Sequence, residues 1–240
     1  MIILRSALFA LLQALLTVVF GIISLLTFPF APRTRYRIIT LWNHSIVWLA
    51  RVVCGIRYQL RGLENLPKTP VIVMAKHQSA WETIALPILL PPQVIVLKRE
   101  LLYIPFFGWG MRMLSPIAIN RKAGKEALKQ IVAQGRDRLA RGFWVLIFPE
   151  GTRIKPGEVG RYGIGGAWLA THTQTPVLPV AHNAGEVWSR NAFLKYPGTV
   201  TLSIGPVIES TGLKADELNQ KVRDWIEAEI TRLPHATQTH

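Results

Sequence analysis

The chain opens with a long apolar segment. After it come short apolar runs that are separated by stretches of mixed polarity. Between Arg5 and Arg33 lie 27 uncharged residues, dominated by Leu, Ile, Val, Phe and Ala. A helix needs about 20 such residues to cross the hydrocarbon core of a bilayer. The pattern predicts a membrane segment. A cleaved signal peptide is the alternative, but its apolar core is usually only about 7–15 residues long.

A second, shorter apolar stretch runs from Ile38 to Cys54 and is interrupted by polar and charged residues. We expect it to lie at the membrane interface, because Tyr36, Trp42 and Trp48 are residue types that favour the headgroup region. The alternative is a core helix of the globular part. Residues 1–56 are accordingly predicted to form a membrane anchor of one or two apolar helices.

From residue 57 onward, short β-branched apolar runs alternate with helical patterns. Near-continuous apolar strands separated by helices are typical of a parallel sheet covered on both faces. Residues 57–240 are therefore predicted to form one α/β domain with a mainly parallel sheet flanked by helices. The expected strands are Val71–Met74, Val94–Leu97, Ile117–Ile119, Trp144–Phe148, Val177–Val180 and Val200–Ile204. The C-terminal helix, from Leu218 to Leu233, is expected to cover the sheet and to take no part in chemistry.

The first candidate for chemistry is His77, which follows the strand that ends at Met74. Glu82 comes five residues later, at the start of a helical stretch. Two residues at this spacing lie about 140° apart on a helix and face opposite ways on a strand, but they can meet across a strand-to-helix turn. Such turns lie where open α/β sheets hold their active sites. The alternative for Glu82 is a capping box with Ser79, in which the carboxylate binds the backbone of the cap residue.

Cationic side chains follow three other predicted strands. Lys98 follows one of them, Arg121 follows another, and Arg153 ends the segment Phe-Pro-Glu-Gly-Thr-Arg at residues 148–153. Because the carboxyl ends of parallel strands share one edge of a sheet, these cations are expected to lie near His77. A histidine among cations indicates a phosphate-bearing substrate that is held for proton abstraction.

Composition narrows the class of partner. The chain carries 28 Lys and Arg against 14 Asp and Glu, a net charge of +14, yet half of its residues are hydrophobic. Such a chain is too apolar for a disordered basic protein. Its single cysteine, Cys54, excludes an intramolecular disulfide, and the absence of zinc-ligand spacing argues against a metal site.

The positive charge falls in two blocks. Residues 1–63 hold seven arginines and no acid, and residues 98–161 hold 13 basic and 5 acidic groups. Arginines after the first apolar segment place the domain on the cytoplasmic side of the membrane. The second block contains no recognisable nucleic-acid-binding motif, so an anionic lipid is favoured over nucleic acid as the partner.

Four sequence blocks resemble those of the phospholipid and glycerol acyltransferase superfamily, and most of all the 1-acyl-sn-glycerol-3-phosphate acyltransferases. They lie in order across residues 57–210. His77 to Glu82 resembles the first block, His-x-x-x-x-Asp, with Glu in place of the usual Asp. Ser115 to Arg121 resembles the second, residues 148–153 match the third in full, and Val177 to Val180 resembles the fourth.

The resemblance implies transfer of an acyl group from a thioester to the sn-2 hydroxyl of lysophosphatidic acid, giving phosphatidic acid. His77 is then the general base and Glu82 the acid that orients it. Arg121 and Arg153 would hold the phosphate with help from Lys98. Glu150 and Gly151, with Thr152 beside them, would shape the glycerol pocket. The co-substrate would be acyl coenzyme A or acyl carrier protein, with no further cofactor and no metal, at the cytoplasmic membrane.

Two other functions remain open on the sequence. One is an acyltransferase of the same superfamily with another lyso-lipid as the acceptor. The other, of a different class, is a non-catalytic, membrane-anchored protein that binds lipid or nucleic acid. A purely binding protein has no need of a histidine that converges with the Phe148–Arg153 segment.

Overall fold

A computed structural model of the protein describes residues 1–120 and 123–236. The helices are α1 (Ile2–Leu26), α2 (Pro32–Cys54), α3 (Trp81–Leu89), α4 (Phe107–Met113), α5 (Lys125–Ala140), α6 (Gly165–Thr173) and α7 (Ala215–Arg232). The strands are β1 (Ile56–Arg61), β2 (Ile72–Ala75), β3 (Gln93–Lys98), β4 (Ile117–Ile119), β5 (Trp144–Ile147), β6 (Val177–His182) and β7 (Gly198–Ile204).

The strands form one sheet in the order β1-β7-β6-β2-β5-β3-β4. Neighbouring strands are parallel except for β6 and β7, which are antiparallel. Every residue of β2, β5 and β6 is buried, because helices cover both faces of the sheet. The predicted α/β class and its mainly parallel sheet are confirmed.

The core is divided between the two faces of the sheet. On one face the apolar side of α2 and α3 packs on the strands, and residues such as Ile46 and Ile84 belong to this cluster. On the other face α5, α6 and α7 cover the strands, and Leu169 and Val222 belong to that cluster. This three-layer arrangement leaves the carboxyl ends of the central strands open at one edge of the sheet.

Helix α1 has the length and hydropathy of a membrane segment, with 25 residues and a mean hydropathy of 2.4 in its most apolar window. It also contacts the α/β domain near both ends. Close to its beginning, the Ser6 hydroxyl accepts a hydrogen bond from the backbone of Lys195 at 3.0 Å. Close to its end, a Cβ on Gly21 would come within 2.7 Å of Phe106 Cβ, so the two backbones pack tightly. The helix therefore lies along the domain rather than projecting from it.

Helix α2 packs on the domain, as expected for the core helix that was the alternative from the sequence. One side packs against α3, and the Tyr36 hydroxyl donates to the carbonyl of Pro87 at 2.7 Å. The other side exposes Trp48, which is 60% accessible. The expectation that Tyr36 lies in the headgroup region is wrong, because its ring is buried and its hydroxyl is bound to the domain.

Candidate active site

The strand-to-helix turn after β2 brings His77 and Glu82 together. Strand β2 ends at Ala75 and α3 begins at Trp81, so the intervening turn reverses the chain over the edge of the sheet. His77 Nδ1 and Glu82 Oε1 are 2.8 Å apart. The side chain of His77 keeps 14% of its surface exposed and that of Glu82 keeps none. The turn thus presents an imidazole whose orientation a buried carboxylate fixes.

The same carboxylate also closes the turn. Glu82 Oε1 accepts hydrogen bonds from the backbone N–H groups of Gln78 at 3.0 Å and Ser79 at 2.9 Å. The Ser79 hydroxyl in turn accepts from the N–H of Trp81 at 3.0 Å. The capping interpretation and the orienting interpretation of Glu82 are therefore both supported by the geometry, because one oxygen makes both contacts.

Electrostatics at Glu82 favour the ionised form. Burial alone raises the pKa of Glu82, but the facing imidazole of His182, the hydrogen bond from His77 and that from Ser79 N–H outweigh it, so the pKa lies below its usual range. An ionised carboxylate can only accept, so His77 Nδ1 carries the proton. The second ring nitrogen, Nε2, therefore presents a lone pair, which is what a general base requires.

Behind Glu82 lies His182, at the end of β6. Its Nε2 donates to the carbonyl of Lys76 at 2.8 Å and its Nδ1 accepts from Ala184 N–H at 3.2 Å, so the neutral tautomer satisfies both nitrogens. Burial lowers the pKa of His182, although Glu82 opposes this effect. Its Nε2 is 3.9 Å from Glu82 Oε2. His182 is a satisfied, buried histidine that supports the turn from behind.

The Phe148–Arg153 segment lies directly beside the turn. The Phe148 ring stacks on the His77 imidazole with centroids 4.2 Å apart. Gly151 has a φ of 66°, a conformation that glycine adopts without strain, and the chain bends there toward His77. Beyond the bend, Ile154 N–H donates to the His77 carbonyl at 2.8 Å and Arg153 Nε donates to the Ser79 carbonyl at 2.9 Å. Each end of the turn is thus tied to this segment.

Glu150 differs from its sequence-based expectation. It does not line the cavity beside His77, and its side chain is fully buried. Its Oε1 is 3.4 Å from His77 N and 3.5 Å from Lys76 Nζ. Burial raises the pKa of Glu150 to about 7, although Lys76 opposes the rise. Its contacts lie beneath the turn that carries His77.

A cavity of about 520 Å³ opens at His77 and extends between the sheet and helices α1, α2 and α4. The other predicted substrate-binding residues that line it are Lys98, Gly151, Thr152 and Arg153. Arg121 lies outside the described residues. Most of the other lining residues are apolar, with Phe20, Ile39 and Leu146 among them. An apolar cavity with a few polar groups at one end suits an amphipathic ligand.

Comparison with known proteins identifies the family. Residues 57–183, more than half of the chain, match the sequence profile of the family described as Acyltransferase. The chain belongs to the acyltransferase family. Among curated relatives, the 1-acyl-sn-glycerol-3-phosphate acyltransferase of Pseudomonas aeruginosa is 49% identical to it over 227 residues, which cover 92% of this chain and 88% of that protein.

Two further comparisons extend the similarity. The human 1-acyl-sn-glycerol-3-phosphate acyltransferase beta is 28% identical over 83% of this acyltransferase and 74% of its own length. The crystal structure of the 1-acyl-sn-glycerophosphate (LPA) acyltransferase from Thermotoga maritima superposes with a TM-score of 0.81 at 22% identity, covering 96% of this chain and 95% of that one. That superposition supports the same fold.

Sequence reasoning missed two parts of this acyltransferase site. Lys76 was passed over because a lysine at the end of a strand usually reaches solvent, whereas here it is fully buried. Glu227 lies on α7, the C-terminal helix for which only a covering role was expected, yet its Oε1 lies 2.6 Å from Lys76 Nζ. The available signal was the position of Lys76 next to His77, at the end of a strand buried on both faces.

Substitution of Glu82 separates its contact with His77 from its contacts with the backbone of the turn. Glu82→Gln keeps an oxygen that can accept from the backbone but removes the charge that stabilises a protonated His77. We expect turnover to fall by about 10³-fold with little loss of thermal stability. Glu82→Asp keeps the charge, and we expect it to retain turnover within about 10-fold.

The measurement is steady-state turnover beside thermal unfolding in the same detergent. If Glu82→Gln and Glu82→Asp both turn over at the wild-type rate, Glu82 is a capping residue alone and the orienting role is wrong.

Proposed function

We propose that this acyltransferase transfers an acyl group from an acyl thioester to the sn-2 hydroxyl of 1-acyl-sn-glycerol 3-phosphate, forming phosphatidic acid for phospholipid biosynthesis. The observation that carries the proposal is the His77–Glu82 pair at the mouth of an apolar cavity whose opening also holds Lys98 and Arg153. The relative from Pseudomonas aeruginosa, named for this activity, supports the choice of acceptor.

The geometry supports a direct transfer. His77 Nε2 removes the proton of the acceptor hydroxyl as its oxygen attacks the thioester carbonyl carbon. Glu82 stabilises the imidazolium that results, as the carboxylate does in hydrolase triads. When the carbon–sulfur bond breaks, the leaving thiolate takes that proton from His77. The acyl group ends on the acceptor oxygen, and the enzyme returns to its starting state.

The phosphate of the acceptor is assigned to the cations at the cavity mouth. Arg153 is held by its Nε contact with Ser79, which fixes the plane of its guanidinium beside the base. A planar guanidinium suits a phosphate because it can donate two parallel hydrogen bonds. Lys98, at the end of β3, adds a second charge, and Arg121 is proposed as a third. Gly151 and Thr152 are proposed to contact the glycerol, in the place first assigned to Glu150.

The acyl donor is proposed to be acyl coenzyme A or acyl carrier protein. A thioester is already an activated acyl group, so the transfer balances with proton movement alone and uses no additional cofactor. The apolar depth of the cavity is assigned to the acyl chain. Parallel assays with the two donors decide between them.

Residues 1–56 are proposed to anchor the enzyme in the cytoplasmic membrane, with residues 57–240 on the cytoplasmic face. Helix α1 exposes a band of large apolar side chains, and α2 adds Leu41, Trp48 and Val52. Because both ends of α1 contact the domain, the two helices are proposed to lie within one leaflet rather than to cross the bilayer. The cavity reaches α1 and α2, so lipid chains can enter it from the membrane.

Replacement of the proposed base tests the reaction. We expect wild-type protein in liposomes to convert lysophosphatidic acid and a donor thioester to phosphatidic acid, and His77→Ala to lower turnover by about 10³-fold. His172→Ala, on the exposed side of α6, is the control and should keep the wild-type rate.

The readout is radiolabelled product from a panel of lyso-lipid acceptors. Full activity of His77→Ala would remove the base from the mechanism, and a faster reaction with another lyso-lipid would assign a different acceptor.

Arg153→Ala tests the phosphate contact. Losing a charge-assisted hydrogen bond to the acceptor should raise its apparent KM by about 10- to 100-fold, while the KM for the thioester stays nearly constant. Lys155→Ala is the matched control, because Lys155 is an exposed cation two residues after Arg153 that does not line the cavity. An unchanged acceptor KM in Arg153→Ala, or an equal rise in Lys155→Ala, would contradict the assignment.

A further inference from the structure

A buried ionic cluster lies directly beneath the His77 turn. Lys76, the residue before His77, is fully buried, and its Nζ lies 2.6 Å from Glu227 Oε1 and 3.5 Å from Glu150 Oε1. A buried ammonium is costly unless it is paired and hydrogen-bonded. The conformation of Lys76 therefore depends on these carboxylates.

Glu227 is the closer of the two partners. Its Oε1 accepts from Lys76 Nζ and also from the Tyr162 hydroxyl at 2.8 Å. The same oxygen therefore accepts from an ammonium and from a hydroxyl, and the bond to the ammonium is charge-assisted. Glu227 thus balances the Lys76 charge, while Tyr162 holds the carboxylate in place.

The cluster is connected to the base through the backbone. Glu150 Oε1 contacts Lys76 Nζ and also faces the N–H of His77. Because Glu150 is buried, its pKa lies near 7, and Glu227 contributes to the rise while Lys76 opposes it. Glu227 is thus linked to the backbone of His77 through Lys76 and Glu150.

We propose that Glu227, on the C-terminal helix α7, is a positioning residue for acyl transfer: through Lys76 and Glu150 it fixes the backbone that carries His77. Glu227 lies beyond residues 57–183, the part of the chain that matches the family profile. Helix α7 has separate apolar anchors in Leu218, Val222 and Ile226, so attaching the helix does not require Glu227. The inference rests on the proposed role of His77 as the base.

Glu227→Gln is the test, and Glu229→Gln is its matched control. Both residues lie on α7, their side chains are 20% and 18% exposed, and each accepts a hydrogen bond, from Lys76 and from Ser203 respectively. Glu229 differs in that the side chains of Ser203 and Arg232, which contact it, lie outside the cluster. A small displacement of a reacting group from the substrate lowers turnover, while substrate binding changes little.

In the full-length protein in liposomes, we expect Glu227→Gln to lower kcat by about 10- to 100-fold, with both KM values within about 2-fold of wild type. Glu229→Gln should keep kcat within about 2-fold, and the two variants should unfold at similar temperatures. A wild-type kcat in Glu227→Gln, or an equal loss in Glu229→Gln, overturns the proposal. So does a loss that appears only in KM.

Two further variants keep the proposal testable if Glu227→Gln does not fold. Tyr162→Phe leaves every charge in place and removes one hydrogen bond to Glu227, so it should give a smaller loss of kcat, and a wild-type kcat there overturns the proposal. In Lys76→Met combined with Glu227→Gln, the loss should be less than the product of the single losses, because the two residues act as one unit.

His77→Ala is assayed alongside these variants. If it remains active, the assignment of the base is wrong whatever the α7 variants do. If it is inactive while Glu227→Gln matches wild type, only the positioning proposal fails.

Discussion

The carboxylate of Glu82 is the interaction on which the site depends. A single buried oxygen accepts from two backbone N–H groups that close the strand-to-helix turn and from His77 Nδ1. Because an ionised carboxylate cannot donate, these contacts also fix the tautomer of the imidazole. The fold of the turn and the orientation of the proposed base therefore have the same physical origin. The longer reach of Glu, compared with the Asp usual in this block, still allows a contact of 2.8 Å.

The edge of the sheet concentrates charge in an otherwise apolar core. Glu82, His182, Lys76 and the side chain of Glu150 are all buried there, and each has hydrogen-bonding or ionic partners from neighbouring strands, turns or α7. Removing one partner from such a cluster leaves a buried group unpaired, which is more costly than the net value of the contact. The partners come from residues far apart in sequence, and one of them, Glu227 on α7, lies outside the matched family segment.

The sequence predicted best the strands that are buried on both faces of the sheet. The central strands are continuous apolar runs, so their positions, the α/β class and the convergence of His77 with residues 148–153 could be predicted. Strand β1 was missed because it lies at the edge of the sheet and its side chains are mostly exposed. Tyr36 was misplaced because its residue type suits both a membrane interface and a buried contact. The contacts that Glu150 and Glu227 make with Lys76 could not be predicted, since only the tertiary structure brings Lys76 between them.

In the proposed mechanism the acceptor hydroxyl attacks the thioester directly, and His77 acts only on protons. Rapid mixing of the enzyme with an isotope-labelled acyl thioester, with and without lysophosphatidic acid, measures this most directly. Direct attack predicts that without acceptor no label becomes covalently bound to the protein, and that with acceptor the label appears in phosphatidic acid without an initial burst. A labelled acyl-enzyme that forms in stoichiometric amount and is discharged when lysophosphatidic acid is added would contradict it.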